Sequence, residues 1–214
     1  MVMNHNIDMD LYTPLSKILN LQNLSILDWG GSKGNLIRSS NGKILPTNYT
    51  SVDVDLEAIT LGKKDYPEAD WIYLDLYSPM YNPAGNEDIQ LPKKYDIIFS
   101  FSIFSHTSFE YFIETIDTLK TYLTPNGKIY VSMVSQENVL TLKHFKNKRV
   151  KEYGSCDDFI NNDSYFYLVD NKVEKEVPLK CEFLLTVYSE NFLAKYGKIH
   201  KTDLLPQLIL ELTI

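Results

Sequence analysis

Cysteine is scarce in this chain: of 214 residues, only Cys156 and Cys181 are cysteines. They lie far apart and match no zinc-ligand spacing, so the expectation is two free thiols in a reducing compartment and no metal site. An apolar run near the ~20 residues that a membrane-spanning helix needs is also missing. Residues 1–10 carry Asp8 and Asp10 without an apolar stretch, unlike a secretory signal peptide. Positive charge is in short supply. Lysine and arginine total 21 against 28 acidic residues, a net charge of −7. That balance argues against a nucleic-acid partner, which a basic surface would meet. No internal repeat or low-complexity tract is present. What remains is an ordinary globular balance of 44% hydrophobic and 23% charged residues. The length suffices for one domain, residues 1–214, with a well-buried core. A soluble, cytoplasmic protein with no membrane partner is expected; the sequence leaves its oligomeric state open.

Residues 11–21 form a candidate opening helix, with Pro14 in its first turn and Leu15, Ile18 and Leu19 on one face. Residues 24–28 read as a short buried strand. A helix beginning near Lys33 stops by Asn41-Gly42, a turn signal. Residues 49–53 form a second strand, and Asp55 caps a helix from Leu56 to about Lys64, with Glu57 in its first turn. Residues 70–75 form a third strand. The loop 77–94 holds Pro79, Pro83, Gly85 and Pro92, and loops of that length inside a domain are usually functional or disordered. The continuous apolar run of the fourth strand, 96–101, predicts burial on both faces, as in a parallel sheet. A helix over 108–123 shows Phe112, Ile116, Leu119 and Leu123 at helical spacing. Pro125-Asn126-Gly127 reads as a tight turn before a fifth strand, 128–134. After Ser135 the alternation breaks. A hairpin over 164–177 turns at Asp170-Asn171, Ser189 caps a helix through Lys195 ahead of Gly197, and 208–214 is a final strand. Five strands alternating with helices predict an open α/β sheet.

The chemistry concentrates in Ile26-Leu27-Asp28-Trp29-Gly30-Gly31-Ser32-Lys33-Gly34-Asn35-Leu36. An apolar strand ends in an acidic residue, then a glycine-rich turn leads into a helix. Glycines let the main chain pass close to a ligand, and a helix start offers unpaired N–H groups. In an open α/β sheet ligands bind at the carboxyl ends of the strands, where Asp28, Asp53 and Asp75 all fall. Asp53 follows the glycine turn by about 20 residues, the separation at which a carboxylate meets ribose hydroxyls. Asp75 is placed to accept a bond from an exocyclic amine. Each acidic residue taken singly is as readily a helix cap or a solvated charge. Three in consecutive strand–helix units behind one glycine turn point to a ligand.

These motifs resemble those of class I S-adenosylmethionine-dependent methyltransferases. That family's first motif, D/E-x-G-x-G-x-G after an apolar strand, is matched by Asp28 to Gly34, with Ser32 at the middle glycine beside an extra Gly31. Its later acidic residues match Asp53 in Ser51-Val52-Asp53-Val54-Asp55 and Asp75 in Tyr73-Leu74-Asp75-Leu76. Its fourth strand matches Tyr95-Asp96-Ile97-Ile98-Phe99-Ser100, and its fifth matches Lys128-Ile129-Tyr130-Val131 after Pro125-Asn126-Gly127. The likeness covers about residues 24–134. It implies an open, mostly parallel seven-stranded Rossmann-like sheet with helices on both faces and an antiparallel last strand. It implies S-adenosylmethionine as cofactor and S-adenosylhomocysteine as product. Gly30, Gly31, Ser32 and Gly34 would admit the amino-acid end of the cofactor, with Asp28 orienting the turn or the ammonium. Asp53, followed by Val54, would hold the ribose. Asp75 would take the adenine amine beside the Leu76 N–H, and Ser100 at the end of the fourth strand would be a further cofactor-binding residue. A sulfonium cofactor with an ammonium group tolerates three carboxylates; a pyrophosphate does not. The lack of G-x-G-x-x-G further counts against a nicotinamide cofactor.

Methyl transfer from a sulfonium is an in-line displacement that chiefly needs alignment and exclusion of water. Where the nucleophile must lose a proton, His106 after the fourth strand is the candidate base, ahead of His144 and His200; His5 lies in the terminus. The fourth strand lacks the Asn/Asp-Pro-Pro-Tyr signature of many enzymes that methylate amino groups on DNA or protein glutamine. A small-molecule acceptor is therefore expected, methylated at O, N or C. The alternatives are an RNA or protein methyltransferase and a non-catalytic partner subunit. Lys143, Lys146, Lys148, Arg149 and Lys151 read as a solvated face or as an anion contact. Within the division 1–22, 24–134, 135–188 and 189–214, the third segment is aromatic-rich, with Phe159, Tyr165, Phe166, Tyr167, Phe183 and Tyr188. It forms either a substrate cover or an added hairpin.

Overall fold

The computed structural model describes residues 10–78, 82–137, 149–150, 165–169, 185–202 and 207–212. In chain order its elements are α1 (Tyr12–Ser16), β1 (Ile26–Trp29), α2 (Asn35–Ser39), β2 (Tyr49–Asp53), α3 (Leu56–Asp65), β3 (Asp70–Tyr73), β4 (Tyr95–Ser100), α4 (Phe109–Lys120) and β5 (Leu123–Ser135). There follow β6 (Arg149–Val150), β7 (Tyr165–Val169), β8 (Leu185–Tyr188), α5 (Glu190–Leu193), β9 (Gly197–His200) and β10 (Gln207–Leu212).

The strands of the cofactor half run parallel in the order β3-β2-β1-β4-β5. Beyond β5, β10 pairs antiparallel and carries β9 on its far side. This is the expected seven-stranded, mostly parallel sheet with an antiparallel last strand. Three further strands join it: β8 pairs with the end of β5 at Val134↔Val187 and Ser135↔Tyr188, and β7 and β6 follow antiparallel.

Period-two alternation sorts the strand residues onto two faces. Leu27, Ile98, Val131, Leu208 and Leu210 pack with α4 and α5 through Phe112, Ile116, Leu119 and Leu193. Ile26, Ile97, Phe99, Tyr130 and Ile209 pack on the opposite face with α1 and α2 through Leu15, Leu36 and Ile37. Strands β1 and β4 are buried on both faces, which is why they read as continuous apolar runs. Two caps act as predicted, Asp55 and Ser189, and Ser108 at the start of α4 is a third that was not expected. Asp55 accepts from the N–H groups of Glu57 and Ala58, Ser108 from Tyr111, and Ser189 from Phe192.

Several boundaries differ from expectation. The opening helix ends at Ser16, because the amides of Ile18 and Leu19 both converge on the Leu15 carbonyl and the helical ladder stops. Helix α2 starts at Asn35 rather than Lys33, since Gly34 sits at φ +87°, outside the helical region. Strand β3 ends at Tyr73, because the Asp75 carbonyl turns to the amides of Asn86 and Glu87. Pro125-Asn126-Gly127 is a bulge inside β5 and not a turn before it. The register passes from Tyr95↔Leu123 to Ile97↔Lys128, so extra residues loop out of one strand only. Strand β7 pairs with β6 and β8, while the Asp170-Asn171 turn and the second arm of the expected hairpin, 171–177, lie outside the described residues. Strand β9, absent from the expectation, begins at Gly197, placed there as a helix stop.

Candidate functional site: the carboxyl edge of the parallel strands

Because β1 to β4 run parallel, the residues that follow their last positions share one edge of the sheet. The glycine turn is fastened to that edge by its own backbone. The N–H groups of Gly30 and Gly31 both donate to the Val52 carbonyl, at 2.8 and 3.2 Å, and Gly34 N–H donates to Gly31 O at 2.9 Å. Two of its glycines are there for different reasons. Gly30 has φ +75°, and a Cβ on it would lie 2.2 Å from Cδ1 of Ile103. A Cβ on Gly31 would lie 2.5 Å from Ser51 Oγ and 2.8 Å from the Asp28 carboxyl. Ser32, in the place of a family glycine, holds φ +49° and keeps the backbone path that glycine would allow.

Asp28 lies beneath this turn, 2% exposed. Its Oδ2 accepts from the Tyr49 hydroxyl at 2.5 Å. Burial pushes its carboxyl up to about 7; the Tyr49 bond opposes the rise and the charge of Asp53 adds to it. The Tyr49 phenol is itself raised well above its ordinary value, by burial and then by the Asp28 charge, so it stays a donor.

Asp53 ends β2 and ties the turn to the strand. Its Oδ2 accepts from Ser32 N–H at 2.8 Å and its Oδ1 from Asp55 N–H at 2.9 Å. Burial raises this carboxyl too, against the pull of those two amides. Val54, expected at the ribose beside Asp53, packs partly buried against the core. Asp75 lies in the loop after β3, two residues beyond the strand end. Its Oδ1 accepts from Asn82 Nδ2 at 2.7 Å and from the Tyr73 hydroxyl at 3.2 Å. Leu76 beside it is buried.

At the end of β4, Ser100 is 1% exposed and its Oγ has no hydrogen-bond partner among the described residues; the same holds for Asn35 Oδ1 at the start of α2. Ser102 follows at φ +59°, its N–H donating to Ser132 Oγ at 2.8 Å. Ile103 then packs onto Gly30, and His106 closes the short turn Phe104–His106 with its side chain exposed. The fold thus gathers Gly30, Gly31, Ser32 and Asp53 into one bonded unit above the Asp28–Tyr49 pair. It sets Asp75 beyond the neighbouring strand and His106 three residues past the Ile103 contact. His144 and the basic positions 143, 146, 148 and 151 lie outside the described residues. His200 ends β9, bonded to Glu211, and is separated from the parallel strands β1 to β5 by β10.

Sequence reading missed Tyr49, Ile103 and Asn82. Tyr49 was accessible, since it shares a strand face with Ser51 and Asp53. Ile103 and Asn82 come from irregular segments with no periodic signal.

A buried, uphill pair of carboxylates is relieved when a cation arrives beside it. Together with the close-approach turn and the orphaned Ser100 and Asn35 oxygens, this donor set suits a ligand carrying positive charge and several polar groups, and suits a pyrophosphate poorly.

Known proteins agree with this outline. No curated protein matches the chain. Among solved structures, an S-adenosylmethionine-dependent methyltransferase from Clostridium acetobutylicum ATCC 824 superposes with TM-score 0.55 at 12% identity, over 94% of this chain and 87% of that one. The glycopeptide N-methyltransferase MtfA, complexed with S-adenosylmethionine, superposes with TM-score 0.61 at 8% identity, over 96% and 93%. At these identities the likeness is one of fold. Residues 3–164 match the family described as methyltransferase domain. With the match spanning well over half of its length, this chain belongs to the methyltransferase-domain family.

Proposed function

We propose that the protein is an S-adenosylmethionine-dependent methyltransferase that moves a methyl group to an O, N or C nucleophile of a small molecule. The observation that carries this reading is the glycine turn bonded to Asp53 and seated over the Asp28–Tyr49 pair, with Asp75 just beyond the next strand end. Asp28 and the turn face the cofactor's amino-acid end. Asp53 holds the ribose hydroxyls with oxygens that retain lone pairs beyond their two backbone bonds. Asp75 takes the adenine amine beside Leu76, and Ser100 and Asn35 supply polar atoms at the rim.

When bound, the cofactor supplies an already activated methyl carbon on its sulfonium. The protein's part is to align the nucleophile with it and to keep water out. His106 accepts the nucleophile's proton where the acceptor is a hydroxyl or a protonated nitrogen. The scarcity of cysteine and the acidic balance fit a cytoplasmic enzyme; among the described residues no helix is long and apolar enough to cross a membrane.

Radiolabelled methyl transfer to a panel of small hydroxyl, amine and carbon acids tests the acceptor class. Transfer to one of them supports the reading. Transfer confined to RNA or protein, with RNA binding falling steeply as salt rises, replaces it. For the base, His106→Ala is expected to lower turnover by about 100-fold, within the range for a general base, with cofactor affinity unchanged. Unchanged turnover removes His106 from the mechanism.

A further inference from the structure

We infer that Asn82 is a positioning residue for recognition of the adenine amine, acting by clamping the carboxylate of Asp75; this rests on the cofactor reading above. Asp75 has left its strand: β3 ends at Tyr73, so no sheet ladder fixes the acid. A carboxylate in an irregular loop needs other supports to keep one orientation. The amide nitrogen of Asn82 provides two, donating to Asp75 Oδ1 at 2.7 Å and to the Leu76 carbonyl at 3.1 Å. One side chain thereby binds both the acid and the main chain of the residue that follows it.

Asn82 is itself held. Its N–H donates to Ser78 O at 3.0 Å and its carbonyl accepts from Ser78 N–H at 2.9 Å, a closed bridge. The loop then returns to Asp75. Gly85 N–H donates to Asn82 O, and a Cβ on Gly85 would lie 2.3 Å from Leu76 O, so only glycine lets the two segments meet. Asn86 and Glu87 donate their N–H groups to Asp75 O at 2.7 and 3.0 Å, and the Glu87 carboxylate accepts from Asp75 N–H at 3.1 Å. Both bonds to the acid, from Asn82 and from the Tyr73 hydroxyl, end on Oδ1. Among the described residues they leave Oδ2 to accept from an N–H donor, which is what an exocyclic amine offers. The long loop after β3 thus works as the mount of one acceptor atom.

The test is the ratio of two affinities, measured calorimetrically on the full chain: S-adenosylhomocysteine against S-inosylhomocysteine, which carries an oxo group in place of the amine. A carboxylate that accepts from the amine predicts a wild-type preference for the adenosyl ligand of about tenfold or more. Asn82→Ala and the near-isosteric Asn82→Asp are both expected to bring that ratio towards one, chiefly by weakening the adenosyl ligand. A merely structural role would weaken both ligands equally and keep the ratio. Thermal melts show which variants are folded, and either folded variant suffices. If neither folds, the ratio is read on Tyr73→Phe, where retained preference is expected because the Asn82 clamp remains. Overturning results are a folded Asn82 variant with the wild-type ratio, a wild-type ratio near one, or loss of the preference in Tyr73→Phe. If wild-type protein binds neither ligand, the cofactor reading fails and the inference falls with it.

Discussion

The Tyr49 hydroxyl donates to the buried carboxylate of Asp28 directly beneath the glycine turn, and the two residues sit on adjacent strands in the register Ile26↔Tyr49 and Asp28↔Ser51. The bond answers a burial problem. Without a donor, the 2%-exposed acid would face Ser51 and the Gly31 backbone with nothing to hold its charge.

Tyr49→Phe therefore removes the one side-chain donor to Asp28 among the described residues and drives its carboxyl further up. Destabilisation of about 1–3 kcal/mol is expected, the cost of leaving a buried polar group unsatisfied. It should show in urea unfolding at a pH above the Asp28 value of about 7 and shrink at a pH well below it, where the acid is neutral. Equal loss at both pH values contradicts the pairing.

Asp28 also sets a pH trend for the wild type. Its folded value of about 7 lies above the unfolded ~3.9 of an aspartate. The folded state binds more protons in that window, so this stability is fully present below the unfolded value and is lost as pH rises through the folded one. The melting temperature of wild type should fall more steeply from acid to neutral pH than that of Asp28→Asn. Parallel curves contradict the assignment.

In Gly31→Ala, the new methyl would press on Ser51 Oγ and the Asp28 carboxyl. Overpacking of this kind costs about 1–3 kcal/mol, and binding of S-adenosylhomocysteine should fall with it. Ser32→Gly is the control. It relieves a serine at φ +49° and keeps the N–H that bonds Asp53, so affinity should stay within about threefold. Equal damage by both would show that the turn's sensitivity is not steric.

At the far edge of the sheet, Glu211 on β10 bonds Lys128 at the start of the β5 ladder and His200 on β9. Burial works to raise its carboxyl, yet the Lys128 and His200 bonds and charges outweigh it and hold the value below the ordinary one. A depressed carboxyl contributes stability above its unfolded value that is lost as pH falls through the folded one. Glu211→Gln should melt lower than wild type near neutral pH, and the gap should close in strong acid.

Much of this site was readable before folding. Strand β2 and the Asp55 cap were placed from residue type alone, and Asp53 followed from its spacing to the glycine turn. What escaped depends on relations that a linear string hides. Tyr49 matters through its neighbour in another strand. Asn82 matters because a loop without periodicity folds back on Asp75. Pro125-Asn126-Gly127 has the composition of a turn, but those residues serve equally in a bulge, and only pairing with β4 decides between them. Strand β9 is four residues opening on a glycine, too short for alternation to show.

In the proposed function, the carboxyl edge of β1 to β3 binds the sulfonium cofactor and its product. Calorimetric titration of wild-type protein with S-adenosylhomocysteine, repeated on Asp53→Ala, tests it most directly. One site per chain is expected in wild type, and at least about tenfold weaker binding once Asp53 is gone, the loss of charge-assisted hydrogen bonds. Absence of binding to wild type, or equal affinity in the folded variant, would contradict it.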